Sequence, residues 1–464
     1  MTHGGFGNQA RARLADEPPF PDHSAFVRPP KGEAVSTSGR SGALDAIVAF
    51  GIRVASAGLV FGMQVLLARL MALDDYGNYV TLWTWLIALG SFGALGFAES
   101  AVRFLPRYAQ RGRGAAVDAF WRLGLAAAVG SSVVLAGLAA LVALAIPMDA
   151  TGRALVLFVC LGFPFLALEH YLEGVARSFG WFRLTTVPVY ILRPLLIGLA
   201  ALAVFALRGE LGFATVGLIV ILCQALVTIG VALALAWRLR GMRAGGRVKL
   251  ARRGRFWLIA SLPLLLISGL EDLMTNTDVL VVALLLDAEQ VAVYFAAART
   301  LALANFVYYA MYLVSGRGFA LALVDVDKTA LQRSVRESSR LTFWSTAGAL
   351  AVTLAVAPLL LALFGAAFGA GYPLMFILAA GLLARAVAGQ ANEVLIVSGR
   401  QRECIAIAAG AFAFNLFATV TLTLALGLFG AALGTALALA ARAVAYIVVV
   451  RRELGISVAA FGRG

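Results

Sequence analysis

From Gly42 onward the chain alternates long apolar runs with short polar breaks. Tyr79 to Ala98, Leu123 to Pro147 and Ala408 to Ala441 carry no charge over lengths that cross a bilayer. A hydrocarbon core about 30 Å thick needs roughly 20 helical residues. With no water at that depth to solvate an open backbone, the runs are expected to be helices. The pattern predicts twelve of them, at 44–70, 78–103, 119–147, 153–176, 184–207, 211–237, 256–284, 290–318, 341–365, 373–398, 403–427 and 429–450. The expected fold class is therefore an all-α polytopic membrane protein. The composition agrees: 61% of residues are hydrophobic, far from a soluble domain.

The connections fall into two sets. One set holds twenty Lys and Arg, including Arg103, Arg107, Arg177, Arg183, a run of eight from Arg238 to Arg255, Lys328, Arg340, Arg400 and Arg402. The other holds two, Arg153 and Arg208. The positive-inside rule then places both termini in the cytoplasm. The formal charge of +14 reads as topology and contact with anionic lipid, with no nucleic-acid partner implied. Residues 1–41 are polar and rich in Pro and Gly, with no short apolar core of a cleavable signal. They are expected to form a disordered cytoplasmic tail. Three cysteines and three histidines are dispersed, so neither a disulfide framework nor a metal site is expected.

The basic stretch 238–255 separates six spans from six. It reads as a linker between bundles 42–237 and 256–450, with 451–464 a cytoplasmic tail. A faint repeat supports two halves. Leu70-Met-Ala-Leu-Asp-Asp-Tyr-Gly-Asn-Tyr79 follows span 1, and Leu285-Leu-Asp-Ala-Glu-Gln-Val-Ala-Val-Tyr294 follows span 7. Because six is even, the halves share one orientation, as in transporters whose site lies between parallel repeats.

The segment Leu67-Ala-Arg-Leu-Met-Ala-Leu-Asp-Asp-Tyr-Gly-Asn-Tyr79 resembles the first hairpin of the polysaccharide-export (O-antigen) flippases. Asp278-Val-Leu-Val-Val, Val293-Tyr-Phe-Ala-Ala-Ala-Arg299, Leu426-Gly-Leu-Phe-Gly-Ala-Ala-Leu-Gly-Thr435 and Arg451-Arg-Glu-Leu-Gly455 are similar to that family's seventh helix, eighth helix, last hairpin and exit. That family belongs to the multidrug/oligosaccharidyl-lipid/polysaccharide exporter superfamily, which also holds the lipid II flippases. Those carry two further helices for which this chain has no room. The resemblance implies two six-helix bundles related by pseudo-two-fold symmetry. It also implies transfer of an undecaprenyl-pyrophosphate-linked oligosaccharide across a bacterial inner membrane. Polysaccharide polymerase and glycosyltransferases would be partners.

Charges at bilayer depth are costly and usually face a cavity or a partner. Arg53, Arg193, Arg299 and Arg385 fall near the middle of spans 1, 5, 8 and 10. One reading is a cationic cavity, since guanidinium forks suit phosphate oxygens and stay charged in a poor dielectric. The other is structural pairing with Glu99, Glu173, Glu271 or Glu393. Gln64 shares a stripe with Arg53 and is expected on the cavity wall. Pro194 deprives the Tyr190 carbonyl of a partner and is expected to kink span 5. Span 7 carries Glu271, Asp272, Asn276 and Asp278. These acids read either as an H+ or Na+ coupling site or as counter-charges for the arginines. Glu99 and Arg103 are expected to pair at i,i+4, and Arg69 to tie the turn holding Asp74 and Asp75. Residues 325–340 suit a helix lying at the surface, and Trp83 and Trp85 an interfacial belt.

No GxxxxGK[ST] loop and no Ser/His/Asp or Cys/His grouping is present. No catalytic residue, cofactor or enzymatic activity is expected. The sequence reads as a flippase working by alternating access. An ion-coupled multidrug/cation antiporter of the same fold, and a non-transporting scaffold, are the competing classes.

Overall fold

The computed structural model describes residues 39–242, 250–305, 308, 328–398, 400–458 and 460. Contacts divide the chain into two compact units, Met1–Arg53 and Val54–Gly464. In the first unit only the opening turns of helix α1 (Gly39–Leu70) are described, so the expectation of a disordered tail lies outside the described residues. The second unit, Val54–Gly464, holds the rest of α1 and all of the later helices.

No strand occurs among the described residues. After α1 come α2 (Leu73–Gly93), α3 (Phe97–Gln110), α4 (Gly114–Ala145), α5 (Ala150–Ser178), α6 (Arg183–Arg208) and α7 (Phe213–Leu239). The second run comprises α8 (Leu250–Leu285), α9 (Ala288–Ala302), α10 (Lys328–Phe364), α11 (Tyr372–Val387), α12 (Ala391–Val397), α13 (Gln401–Leu426) and α14 (Leu428–Leu454). Among the described residues nine helices are long and apolar enough to cross a membrane, and the bent pair α2–α3 makes a tenth. The apolar part of α1, Ala55–Leu70, is shorter, and α9 covers Ala288–Ala302. The connection 243–249 and the stretch 309–327 lie outside the described residues.

Two rods are broken where one helix was expected. α2 and α3 meet at 44°, with Leu95 at φ 48° and Gly96 at φ 72°. Gly96 is needed twice over, for its left-handed backbone and because a Cβ there would lie 2.2 Å from the Ser261 carbonyl of α8. The α11–α12 break falls at Gly389, φ 56°. Lys328–Phe364 is one continuous helix, so residues 328–340 are its first turns and not a separate surface helix; 325–327 lie outside the described residues. The end of the chain folds back. The Ser457 N–H donates to Gln332 Oε1 at 2.8 Å, and Ile456 and Val458 are buried.

The helix ends define a basic end, at the Arg-rich connections, and an acidic end, at Asp74, Asp75, Asp149, Glu210, Asp287 and Glu289. Buried apolar side chains near the acidic end form one core that joins both halves, from Leu67, Tyr79 and Leu82 to Val282, Phe295 and Leu374. Toward the basic end there are two separate cores. One holds Phe104, Phe120, Tyr171 and Leu235, and the other Val335, Val394, Tyr446 and Val450. Among the described residues one core spans the halves at the acidic end, whereas the two cores toward the basic end do not merge and only α8 crosses between the halves there.

The joint is tight because α2 and α9 touch backbone to backbone. A Cβ on Gly77 would lie 1.8 Å from the Ala288 carbonyl oxygen. Phe61 packs edge-on against Phe364 at 5.3 Å, and Tyr76 against Phe368 at 5.8 Å. Arg69 does not tie its own turn. Its Nε donates to the Leu363 carbonyl at 2.6 Å and its Nη2 to that of Ala362, so it satisfies the free carbonyls at the end of α10. Asp75 instead accepts from the Phe213 N–H at the start of α7, at 3.0 Å. Helix α8 bridges the halves. Trp257 is buried in the first half's core and donates to Tyr108 at 3.0 Å, while Ser261 bonds Ser100 at 2.7 Å.

Gly77→Ala must push α2 and α9 apart. It is expected to cost about 1–3 kcal/mol, as overpacking does. Gly130→Ala on α4, with nothing within 4 Å of the new methyl, is expected to be neutral or mildly stabilising. Thermal unfolding of the detergent-purified variants checks both.

Candidate functional site

The deep polar residues gather in three clusters. The first belongs to the first half. Arg193 lies about 15 Å along α6 from its basic end, and Glu169 about 13 Å along α5 from its own. Before Arg193 the helix widens into a π-helical turn, Pro188–Leu192, and the Arg193 N–H reaches back to the Pro188 carbonyl. Pro194 has no N–H to offer Tyr190, and the helix absorbs this by the wide turn that precedes it. The turn aims Arg193 inward. Its Nη1 donates to Glu169 Oε1 at 3.0 Å, Glu169 Oε2 at 2.9 Å and Gln224 Oε1 at 2.6 Å. Gln224 Nε2 donates in turn to Glu169 Oε2 at 2.7 Å and Thr228 Oγ1 at 3.1 Å. The guanidinium carbon lies 5.1 Å from the Trp83 ring centre, so Trp83 supports this network and is not in an interfacial belt. The partner of Arg193 is none of the four glutamates considered from sequence. Matching depths along antiparallel neighbours pointed to Glu169.

The second cluster holds the joint. Gln64 is 4% exposed; its Nε2 donates to the Tyr79 hydroxyl at 3.1 Å and its Oε1 accepts from Tyr76 at 3.2 Å. Its amide is engaged by two tyrosines and ties α1 to α2. In the second half Tyr294 donates to Asp278 Oδ2 at 3.0 Å, and Asp278 Oδ1 accepts from the Val279 N–H at 2.9 Å. Tyr79 and Tyr294 close the repeated segments noted in the sequence. Each bonds a polar residue about one helix back. Arg299 lies over the Phe295 ring at 4.9 Å and within electrostatic range of Asp278, Tyr76 and Tyr79. Arg193 also acts on Tyr79, which links the first two clusters.

The third cluster lies in the second half. Arg385 Nη2 donates to Asn305 Oδ1 at 2.9 Å, and its guanidinium stacks over Tyr308 at 4.2 Å. The Tyr308 hydroxyl donates to the Gly389 carbonyl at 2.9 Å, at the break between α11 and α12. Arg442, not singled out from sequence, donates to Glu271 Oε1 at 2.8 Å. Tyr446 donates to Asn392 Oδ1 at 3.0 Å. Arg442 was hidden because it follows a long run of alanine and leucine. Depth again gives it away, since Arg442 and Glu271 each lie fourteen residues from the acidic end of their helices.

Asp272 lies apart from Glu271, beside His170 and Ser91 at the α2–α5–α8 contact. Asn276 donates to the Asp272 main-chain carbonyl at 2.9 Å, so the two side chains do not share a ligand. No group of three metal-ligating side chains occurs among the described residues. Arg103 lies over the Phe104 ring at 5.8 Å, and its Nε has no hydrogen-bond partner among the described residues, so the expected pair with Glu99 does not form. The side chain of Arg53 lies outside the described residues. Of the four deep arginines, Arg193 and Arg299 approach a shared tyrosine, and Arg385 is grouped with Arg442.

Similarity to solved structures covers nearly the whole chain. An inward-facing multidrug resistance MATE family transporter of the MOP superfamily aligns with a TM-score of 0.62 at 15% identity, over 86% of this chain and 94% of that one. The lipid II flippase MurJ in an inward closed conformation aligns with a TM-score of 0.65 at 14% identity, over 87% of each. An outward-facing MATE transporter aligns at 0.54, with 14% identity over 88% of this chain and 93% of that one. No protein-family model matches the sequence. No curated protein matches either. The chain is a multi-pass membrane protein with the fold that these MOP-superfamily transporters and this flippase share.

Glu169 and Arg193 should depend on each other. Their side chains are only 12% and 9% exposed, and removing one partner leaves a buried charge, at a cost of about 3–5 kcal/mol. Glu169→Gln and Arg193→Gln are each expected to lower the unfolding midpoint sharply. The double variant is expected to recover much of that loss in a thermal double-mutant cycle.

Proposed function

We propose that the protein is a flippase that carries an undecaprenyl-pyrophosphate-linked oligosaccharide across a bacterial inner membrane by alternating access. The observation that carries this reading is the company kept by Arg299 and Arg385. Both lie deep in the chain, and their direct contacts are an aromatic face and, for Arg385, an amide oxygen. The carboxylate nearest Arg299, that of Asp278, is already engaged by Tyr294 and the Val279 N–H. A charge kept at depth with no dedicated carboxylate among the described residues suits a visiting anion. Arg53 is a further proposed substrate contact; Gln64, expected on the cavity wall, is instead buried between Tyr76 and Tyr79, and Arg193 is held by Glu169.

On this reading both termini are cytoplasmic, as is the basic linker 238–255 between bundles 42–237 and 256–450, which the excess of Lys and Arg in these connections supports. The separation of the cores toward the basic end then suits loading from the cytoplasmic side. Asp272 and Asp278 are the proposed H+ or Na+ coupling groups. The bond of Glu271 to Arg442 favours a charge-balancing role for that acid. Polysaccharide polymerase and glycosyltransferases remain the proposed partners, and no residue grouping supports catalysis.

A second reading, an ion-coupled multidrug or cation antiporter, draws on the buried Glu169 and Asp278 and on the fold shared with the MATE transporters. The two separate in a strain lacking the gene. The flippase reading expects loss of surface polysaccharide with lipid-linked oligosaccharide accumulating on the cytoplasmic face. The antiporter reading expects intact glycans and new sensitivity to lipophilic cations. In the complemented strain, Arg299→Gln and Arg385→Gln are each expected to cut export about ten-fold or more, the worth of a charged hydrogen bond. Export unchanged in both variants would end the cationic-site reading.

A further inference from the structure

Glu271 and Arg442 face each other at about 21 Å from the acidic ends of α8 and α14. The bond between them is short, 2.8 Å, yet the carboxylate side chain is 53% exposed against 20% for the guanidinium. A half-exposed carboxylate at mid-span must face a wet space and not lipid. Helices α11 and α14, which carry Arg385 and Arg442, touch at Gly381, where a Cβ would lie 2.6 Å from Ala436 Cα, and Arg385 feels the charge of Arg442. Tyr308 is within electrostatic range of both guanidiniums and of Glu393. The Arg385 Nε–H is buried and has no acceptor among the described residues. The grouping therefore presents two guanidiniums, one unused buried donor, the Tyr308 and Tyr446 rings, and one movable carboxylate already held by one guanidinium.

We propose that Arg385 and Arg442 form one anion site in the second half, taking the pyrophosphate of the lipid-linked substrate, and that Glu271 is its resident occupant, displaced when substrate binds. This rests on the anionic-substrate reading above. The carboxylate stands in for a phosphate oxygen and keeps Arg442 paired while the site is empty. A pyrophosphate offers more acceptors than Glu271 does, and two of its oxygens can meet Arg442 and the idle Arg385 donor together. Displacement has a mechanical consequence. The Trp257–Tyr108 and Ser261–Ser100 bonds hold the basic-end part of α8 to the first half. The Glu271–Arg442 bond holds the middle of α8 to the second half. Substrate would break only the latter, so binding removes the mid-span tie of α8 to α14 while Trp257 and Ser261 stay fixed to the first half and Asp278 stays bonded to Tyr294 of α9. A ligand that replaces a contact present in one state shifts the balance between states by that difference.

The test uses full-length protein in detergent, with geranylgeranyl pyrophosphate as probe and thermophoresis as readout. If Glu271 fills the site about nine-tenths of the time, Glu271→Gln tightens binding about ten-fold, because affinity scales with the open fraction. Arg385→Gln and Arg442→Gln are each expected to weaken it about ten-fold. The double variant Glu271→Gln/Arg442→Gln is expected to bind no better than Arg442→Gln. Should Glu271→Gln not fold, as judged by gel filtration and melting, Glu271→Asp retracts the carboxylate and should tighten binding by a smaller factor. Unchanged or weaker binding in both Glu271 variants, with the arginine variants still impaired, overturns the displacement while leaving an anion flippase standing. Inorganic pyrophosphate is expected to compete weakly; equal affinity would assign the site to a free polyphosphate and overturn the lipid assignment. Wild-type protein that ignores the pyrophosphate lipid but binds tetraphenylphosphonium would remove the flippase reading itself.

Discussion

The backbone contact between α2 and α9 at Gly77 is the constraint on which the rest of the arrangement depends. Hydrocarbon offers no solvent-driven reason for two helices to associate, so helices in a bilayer join through close packing and polar ties. Gly77 lets α2 lie directly against the Ala288 carbonyl, and the aromatic side chains of Tyr76, Phe61, Phe364 and Phe368 close around it. Arg69 crosses from α1 to the end of α10 and fixes the second half to the first at the same level. With the acidic ends joined in this way, the basic ends are left with separate cores. The alternating access proposed above would have to loosen this joint or pivot on it.

The two tyrosine ties beneath the joint show how the halves are built. Gln64 with Tyr79 joins the first two rods, and Asp278 with Tyr294 joins the seventh and eighth. The placement is alike, but Gln64 donates to Tyr79 whereas Tyr294 donates to Asp278. The first tie is neutral, and its amide is saturated by Tyr76 and Tyr79. The second places an acid in the equivalent position, next to Arg299. A neutral tie in one half and a charged one in the other make the halves unequal partners in any cycle driven by charge.

The rods were legible in the sequence because apolar length is a strong signal when the solvent is lipid. Their interruptions were less so. The left-handed turn at Leu95–Gly96 looks like the middle of a long apolar run, and only the approach of the Ser261 carbonyl explains why the helix breaks there. The turns 328–340 looked amphipathic enough for a surface helix, yet they continue into α10, and Gln332 captures the returning chain at Ser457. The deep arginines were visible one by one, but their partners were not. Pairing between rods depends on depth and facing, and a single sequence gives depth only approximately. Glu169 was not among the glutamates weighed as partners, and Arg442 was missed because its neighbours are uniformly apolar. Counting each residue's distance from its own helix end would have matched both pairs.

These pairings divide the arginines by what they can still do. Arg193 is held through its Nη1. Glu169 takes two of its bonds, Gln224 a third, and Trp83 covers its face. A substrate phosphate would have to outbid a nearly dry carboxylate there, which is costly on both sides. Arg299 and Arg385 rest on aromatic faces, which stabilise a cation without consuming its donors, although Arg385 also spends its Nη2 on Asn305. Arg442 lies between these cases, with a strong partner that is itself half exposed. Free donors therefore lie on the second half and at the joint, and the tightest neutralisation lies on the first. An anion entering from the basic end, where the cores are separate, would meet its available contacts on the second half. Helix α8 carries both the acid paired there and the aromatic anchor in the first half. It is the element through which occupation of one half can be felt by the other.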